Sequence, residues 1–243
     1  MMSTSVPETE SRTGSLNLLP IILGKVGTGG PGTALLDIGC GDGAMAACLL
    51  KTFPTVVGVD VDPAALAGAR SRFGHRLGLD FRRGDAQELA HVVFDDETFD
   101  CVLSVFALHH VDVRVVLNQA KDRLRPGGGR IVVVDFYADH RESALCYVVD
   151  QLCWSALTHP RSTVSSITRI GSRNAAAYIR WRVSYGLSRR GRRHIREDLA
   201  KGRPMTLAEW TSSFNQALPG GRLTLILGST FVFAWQGSRP WSC

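Results

Sequence analysis

From residue 35 to residue 136, short apolar runs that stop at glycine or a carboxylate alternate with stretches of helical spacing. Leu35–Ile38 is an apolar run ending at glycines, as a buried strand does, and Ala44–Phe53 has the 3.6-residue spacing of a helix. Thr55–Asp60 (TVVGVD) is β-branched and closes on an acid. Pro63 then suits the first turn of a helix over Ala64–Phe73. Leu79–Arg83, Phe99–Val105 and Arg130–Phe136 (RIVVVDF) predict three more strands. Val113–Leu124 predicts an amphipathic helix stopped by Arg125-Pro126-Gly127-Gly128-Gly129. Upstream, Leu16–Val26 predicts a short helix interrupted by Pro20, followed by a Gly/Pro connector over Gly27–Thr33. Nearly all-apolar strands alternating with helices indicate a parallel sheet covered on both faces. Near the C-terminus Arg222–Leu227 and Thr230–Gln236 are separated only by Gly228-Ser229, which predicts a tight antiparallel hairpin. Between these regions, residues 138–218 are mostly helical in character. Arg141–Leu157 carries Leu145, Val148, Val149, Leu152 and Ala156 at helical spacing and ends before Pro160, and Thr206 with Glu209 forms a capping box for a later helix.

Composition narrows the class. With 243 residues, 44% hydrophobic and 21% charged, the chain has the make-up of a globular protein with a sizeable core. Its net charge of +6 is unevenly placed. Residues 161–203 hold 12 Lys+Arg against only Glu197 and Asp198, leaving the remainder mildly acidic, which excludes a uniformly basic nucleic-acid module. The six cysteines (Cys40, Cys48, Cys101, Cys146, Cys153, Cys243) form no CxxC and no zinc spacing, so reduced thiols and no metal are expected. Residues 1–15 read as a disordered polar tail without the apolar centre of a signal peptide. No apolar stretch approaches the roughly 20 residues of a membrane span, so a cytoplasmic protein is expected.

Chemistry enters at Leu35-Leu36-Asp37-Ile38-Gly39-Cys40-Gly41-Asp42-Gly43, a strand that breaks into a glycine loop ahead of a helix. Glycines there let the backbone turn sharply and a ligand approach closely. Gly39-x-Gly41-x-x-Ala44 formally satisfies the dinucleotide fingerprint, with Asp60 at about the right distance to take a ribose hydroxyl. Alone, the loop admits several nucleotide-like ligands, or a merely structural turn.

Five segments in order resemble the class I S-adenosylmethionine-dependent methyltransferase family, in its small-molecule branch. Asp37–Gly43 looks like its first motif and Gly58-Val59-Asp60-Val61-Asp62-Pro63 its second. Gly84-Asp85-Ala86-Gln87-Glu88-Leu89 looks like its adenine motif, and Phe99–Ser104 followed by Leu108-His109-His110-Val111 its fourth strand and exit. Leu124–Arg130 looks like the turn before its fifth strand. The resemblance implies an α/β fold: a Rossmann-like, seven-stranded, mostly parallel sheet with a C-terminal antiparallel hairpin and helices on both faces. It implies one domain over 16–243, with a cofactor-binding half (16–137), a helical acceptor-covering insertion (138–218) and the terminal hairpin (219–243). S-adenosylmethionine (SAM) is the implied cofactor, at a site of Asp37, Gly39, Cys40, Gly41, Asp60, Val61, Asp85, Ala86 and Ser104. In that set Asp60 takes the ribose hydroxyls, the Gly39 and Gly41 backbone meets the methionine end, Asp85 and Ala86 bind adenine, and Ser104 sits beside the sulfonium. Asp62 reads instead as a helix cap.

Methyl transfer is an in-line displacement whose rate comes largely from positioning, and only an acceptor that must lose a proton needs a base. The candidates beyond strands four and five are His110, His109 and Tyr137, with Asp135 and His140 nearby. The expected reaction is methylation of a small-molecule acceptor, natural-product or quinone-like, at O, N or C. Tyr178, Trp181 and Tyr185 lie among arginines, so an RNA methyltransferase gripping its substrate with 161–203 is an alternative. Others are a SAM-binding cyclase that does not methylate, and a NAD enzyme. The oligomeric state is left open, a homodimer included.

Overall fold

Seven apolar runs become the seven strands of a single sheet: β1 (Ala34–Ile38), β2 (Thr55–Asp60), β3 (Leu79–Arg83), β4 (Cys101–Val105), β5 (Arg130–Phe136), β6 (Arg222–Ile226) and β7 (Thr230–Gln236). The computed structural model describes residues 14–137, 172–187, 205–226 and 229–237. The strand order is β3-β2-β1-β4-β5-β7-β6. β1 to β5 pair in parallel, and β7 runs antiparallel between β5 and β6. Parallel pairing puts the carboxyl ends of β1, β2, β4 and β5 along one edge. There Ile38 is aligned with Val59 on one side and Ser104 on the other. The strand order reverses at β1 and β4, and that switch point is where open α/β sheets bind ligands.

Alternate residues of the central strands feed two separate cores. Val132 and Val134 face one layer, and Ile131 and Val133 the other. The first layer is built by α1 (Leu19–Val26), α2 (Ala44–Leu49), α3 (Pro63–Phe73) and α5 (Ser172–Leu187). The second is built by α4 (Val113–Asp122) and α6 (Leu207–Ala217). Helices therefore cover both faces. In α6 the fully buried Trp210 donates its indole N–H to Phe136 O at 3.1 Å, and Phe214 stacks on Phe233 at 3.8 Å. Tyr178 of α5 is also fully buried, with its hydroxyl 2.7 Å from Thr230 Oγ1.

Several boundaries differ from expectation for local reasons. Pro20 does not interrupt a helix. A 3₁₀ turn over Gly14–Leu18 precedes it, and Pro20 occupies the first turn of α1, where no amide hydrogen is needed. α2 ends at Leu49 and a turn carries the chain to Phe53. Phe99 makes only an isolated bridge to Leu124, so β4 starts at Cys101. Asp62 caps α3 by accepting from Ala64 N–H at 2.8 Å, and Thr206 and Glu209 form both halves of their capping box. The helix expected over Arg141–Leu157, His140, Gly228 and most of the 161–203 segment lie outside the described residues.

Candidate functional site

The glycine loop is held open by its neighbours. Gly39 and Cys40 donate their amides to Val59 O at 2.8 and 3.1 Å, pinning the loop to the end of β2. Gly39 has φ +74°, and a Cβ there would stand 2.2 Å from Ala107 Cβ, so the exit of β4 presses directly on the loop. Gly41 (φ +53°) has nothing within 4 Å of where a Cβ would stand. One glycine is demanded by the protein's own packing, while the other leaves room beside its backbone for something else.

Asp60 and Asp37 frame that room. Asp60 Oδ2 accepts from Gly41 N–H at 2.7 Å and Oδ1 from Asp62 N–H at 2.9 Å, so the acid braces the loop. A carboxylate has about four acceptor sites, so both oxygens retain capacity for ligand hydroxyls. Asp37 is 1% exposed, and its Oδ2 has no hydrogen-bond partner within the described residues. Burial, with the Asp60 charge beside it, pushes the Asp37 carboxyl up to about 7. A buried carboxylate oxygen without a partner is costly and calls for a donor or a cation from outside the chain. Cys40, in the same loop, is a buried thiol whose ionisation is suppressed by burial and by Asp37, so it is no nucleophile.

The far side of the opening is built by the turn after β3. Asp85 caps the 3₁₀ turn Ala86–His91 by accepting from Gln87 N–H at 2.8 Å, and both Asp85 and Ala86 are half-buried. Val61, at the end of β2, is 57% exposed. An apolar side chain left bare beside two acids suits the face of a flat ring.

Beyond β4 lie the remaining predicted residues. Ser104 is buried and donates its hydroxyl to Ile38 O at 3.0 Å, tying β4 to β1 just before the loop. Phe106 takes φ +56°, an uncommon conformation for an aromatic residue that costs roughly 1–2 kcal/mol, while its amide donates to Val134 O at 2.8 Å. The 3₁₀ turn Leu108–His110 follows. His109 is drawn to Asp135 across the β4–β5 boundary, with Nδ1 2.8 Å from Asp135 Oδ1. His110 is exposed, its ring 3.9 Å from that of His109. Tyr137 is 2% exposed and packs in the core layer with Trp210. The structure thus gathers Asp37, Gly39, Cys40, Gly41, Asp60 and Ser104 at the ends of β1, β2 and β4. It sets the histidines on the next turn and buries Tyr137 behind them.

Three features escaped sequence reasoning. The Ala107 contact with Gly39 and the strained Phe106 leave no local signal, because both depend on how β4 exits against β1. The His109–Asp135 pair had a partial signal: an acid directly after the apolar run Ile131–Val134, and a histidine after the preceding strand.

Comparison with known proteins adds family context. Residues 36–132 match the family model described as "Methyltransferase domain". Phthiotriol/phenolphthiotriol dimycocerosates methyltransferase of Mycobacterium tuberculosis (strain H37Rv) is 42% identical over 101 residues, which are 40% of this chain and 36% of that protein. The matched stretch therefore spans little more than a third of that curated relative. An uncharacterized methyltransferase of the same strain is 26% identical over 203 residues, 83% of this chain and 86% of that protein. A chain from the complex between the Haloferax volcanii Trm112 methyltransferase activator and the putative methyltransferase superposes with a TM-score of 0.58. It is 16% identical and covers 96% of this chain and 95% of that one, a likeness of fold.

Proposed function

We propose that this chain is a class I S-adenosylmethionine-dependent methyltransferase, a reading supported by the match of residues 36–132 to a methyltransferase domain, and that it transfers a methyl group from SAM to a small-molecule acceptor. One observation carries the reading: the buried Asp37 carboxylate, whose Oδ2 has no partner among the described residues, beside the opening over Gly41. That acid needs a cationic or donating ligand, and SAM brings both an ammonium and a sulfonium. SAM supplies an activated methyl group, and the chain's own residues do the rest.

In this reading Asp37, with the amides of the Gly39–Gly41 loop, holds the amino-acid end, with Cys40 as inert filler. Asp60 takes the ribose diol with the lone pairs its two backbone contacts leave over. Asp85 and the Ala86 amide hold the adenine edge, and Val61 lies against its face. Ser104 fixes the end of β4 beside the reacting centre. Transfer is accelerated mainly by holding the acceptor in line and excluding water. We assign the acceptor side to the ends of β4 and β5 and the segment 138–218, with His109, His110 and Tyr137 nearest it.

The mycobacterial relatives are named for phthiotriol and phenolphthiotriol dimycocerosates, which supports a natural-product-like acceptor here. The test is calorimetry with S-adenosylhomocysteine (SAH), followed by label transfer from methyl-labelled SAM into a small-molecule extract and into total RNA. We expect SAH to bind and the label to enter the small-molecule fraction. Label in RNA would instead favour the reading in which the arginines of 161–203 grip a backbone. Unchanged SAM after turnover would point to a non-methylating cyclase.

A further inference from the structure

Asp135 takes no part in the cofactor site, yet it is a fully buried acid that follows the apolar run Ile131–Val134 in β5. A buried carboxylate survives only with good partners, and each oxygen of Asp135 meets a nitrogen of His109. Oδ1 lies 2.8 Å from His109 Nδ1, Oδ2 accepts from His109 N–H at 3.3 Å, and Phe136 N–H donates to Oδ1 at 2.9 Å. The imidazole is wedged as well as clamped. Its ring lies 3.9 Å from His110 and 4.4 Å from Phe136, and its side chain is 8% exposed.

Chemically, a carboxylate facing Nδ1 keeps the ring proton there and leaves Nε2 as the basic nitrogen. The placement is equally pointed. Ala107, two residues before His109, is the residue pressed against Gly39 of the cofactor loop. The turn carrying the imidazole is thus seated against the loop. A histidine serving only to tie the β4 exit to β5 would need the Asp135 link, but not a turn packed against the loop assigned to the cofactor.

We propose that His109 is the proton acceptor of the transfer, that Asp135 is its positioning residue, and that the acceptor is therefore a hydroxyl compound. This rests on the methyltransferase reading and specifies its substrate class. A neutral amine attacks with a free electron pair and sheds its proton afterwards. A hydroxyl is a weak nucleophile until its proton is taken as the bond forms. The acceptor oxygen's pair forms the new O–C bond while the C–S bond breaks. The C–S pair stays on sulfur as the thioether of SAH, and the O–H proton passes to His109 Nε2 and on to water.

The experiment joins a spectroscopic and a kinetic readout on the full chain. In ¹⁵N-histidine-labelled protein with SAH bound, His109, assigned by its loss in His109→Gln, is expected as the Nδ1–H tautomer. With methyl-labelled SAM and three probes, 1-octanol, 4-octylphenol and octylamine, label is expected in a hydroxyl probe and not in the amine. His109→Gln and Asp135→Asn are expected to lower kcat by about 10²-fold or more, with KM for SAM and SAH affinity within about twofold of the parent. If Asp135→Asn does not fold, His109→Gln alone decides. An Nε2–H tautomer, label in the amine, no label in either alcohol while SAH binds, or a His109→Gln enzyme of parental kcat would each overturn the dyad. Failure of the parent to bind SAH would overturn the underlying methyltransferase reading instead.

Discussion

At the residue scale the cofactor site is defined by what it lacks. Asp37 holds its proton more tightly in the folded chain than in the unfolded one, since its carboxyl rises from 3.8 to about 7. Its contribution to stability is therefore greatest at acid pH and declines as pH climbs from about 4 to 7. Without ligand, Asp37→Asn should flatten that decline and melt above the parent at pH 8, while binding SAM more weakly. Circular-dichroism melts at both ends of the range read the first effect and calorimetry the second; parallel pH slopes in the two proteins would discard the assignment. The two loop glycines make a paired test. Gly39→Ala would drive a methyl into Ala107 and should lower stability severely. Gly41→Ala meets nothing and should cost only about 1–2 kcal/mol for its left-handed backbone, yet weaken SAH binding because the methyl occupies ligand space. Denaturant melts and SAH titration separate the two. Asp60 is best probed as Asp60→Asn, since Asp60→Ala would also release the Gly41 amide and confuse ribose binding with loop collapse.

At the element scale, strands and caps were legible because their causes are local. β2, β3, β5 and β7 have the ends that periodicity assigns them, and Asp62 and Thr206 sit where short polar side chains cap helices. Errors arose where a neighbour decides. Phe99 is apolar and strand-like in sequence, but its partners are Leu124 and the backbone of Arg123 and Arg125, so it lies beside the sheet. The site shows the same division: the glycine loop and Asp60 were legible from spacing, and Asp37 and Asp85 from the family resemblance, whereas the His109–Asp135 contact requires the β4–β5 register. α6 is anchored to the sheet through a buried indole. Trp210→Ala removes a fully buried indole, its stacking on Phe214 and its bond to Phe136 O. That change should cost roughly 3–5 kcal/mol. Tyr178→Phe removes the hydroxyl contact to Thr230, and should cost about 1 kcal/mol by urea titration with SAH binding unchanged.

At the scale of the whole molecule, the uneven charge fits a division of labour. The acids Asp37, Asp60 and Asp85, which we assign to a cationic cofactor, lie in the first half of the chain, while the arginine-rich stretch falls between β5 and the terminal hairpin. No helix among the described residues is long and apolar enough to cross a membrane. The sheet carries one further consequence, in the order of synthesis. β5 pairs with β7 along all seven of its residues, Arg130↔Gln236 to Phe136↔Thr230. While the intervening stretch is being translated, β5, whose residues from Ile131 to Phe136 are buried in the folded chain, presents the edge that β7 will later pair. The nascent protein thus carries that edge for most of its second half, and β7 covers it only on emerging. A chain stopped at residue 218 should sediment as aggregate after expression, where the intact chain stays in the supernatant, and co-expression with a holdase should rescue it.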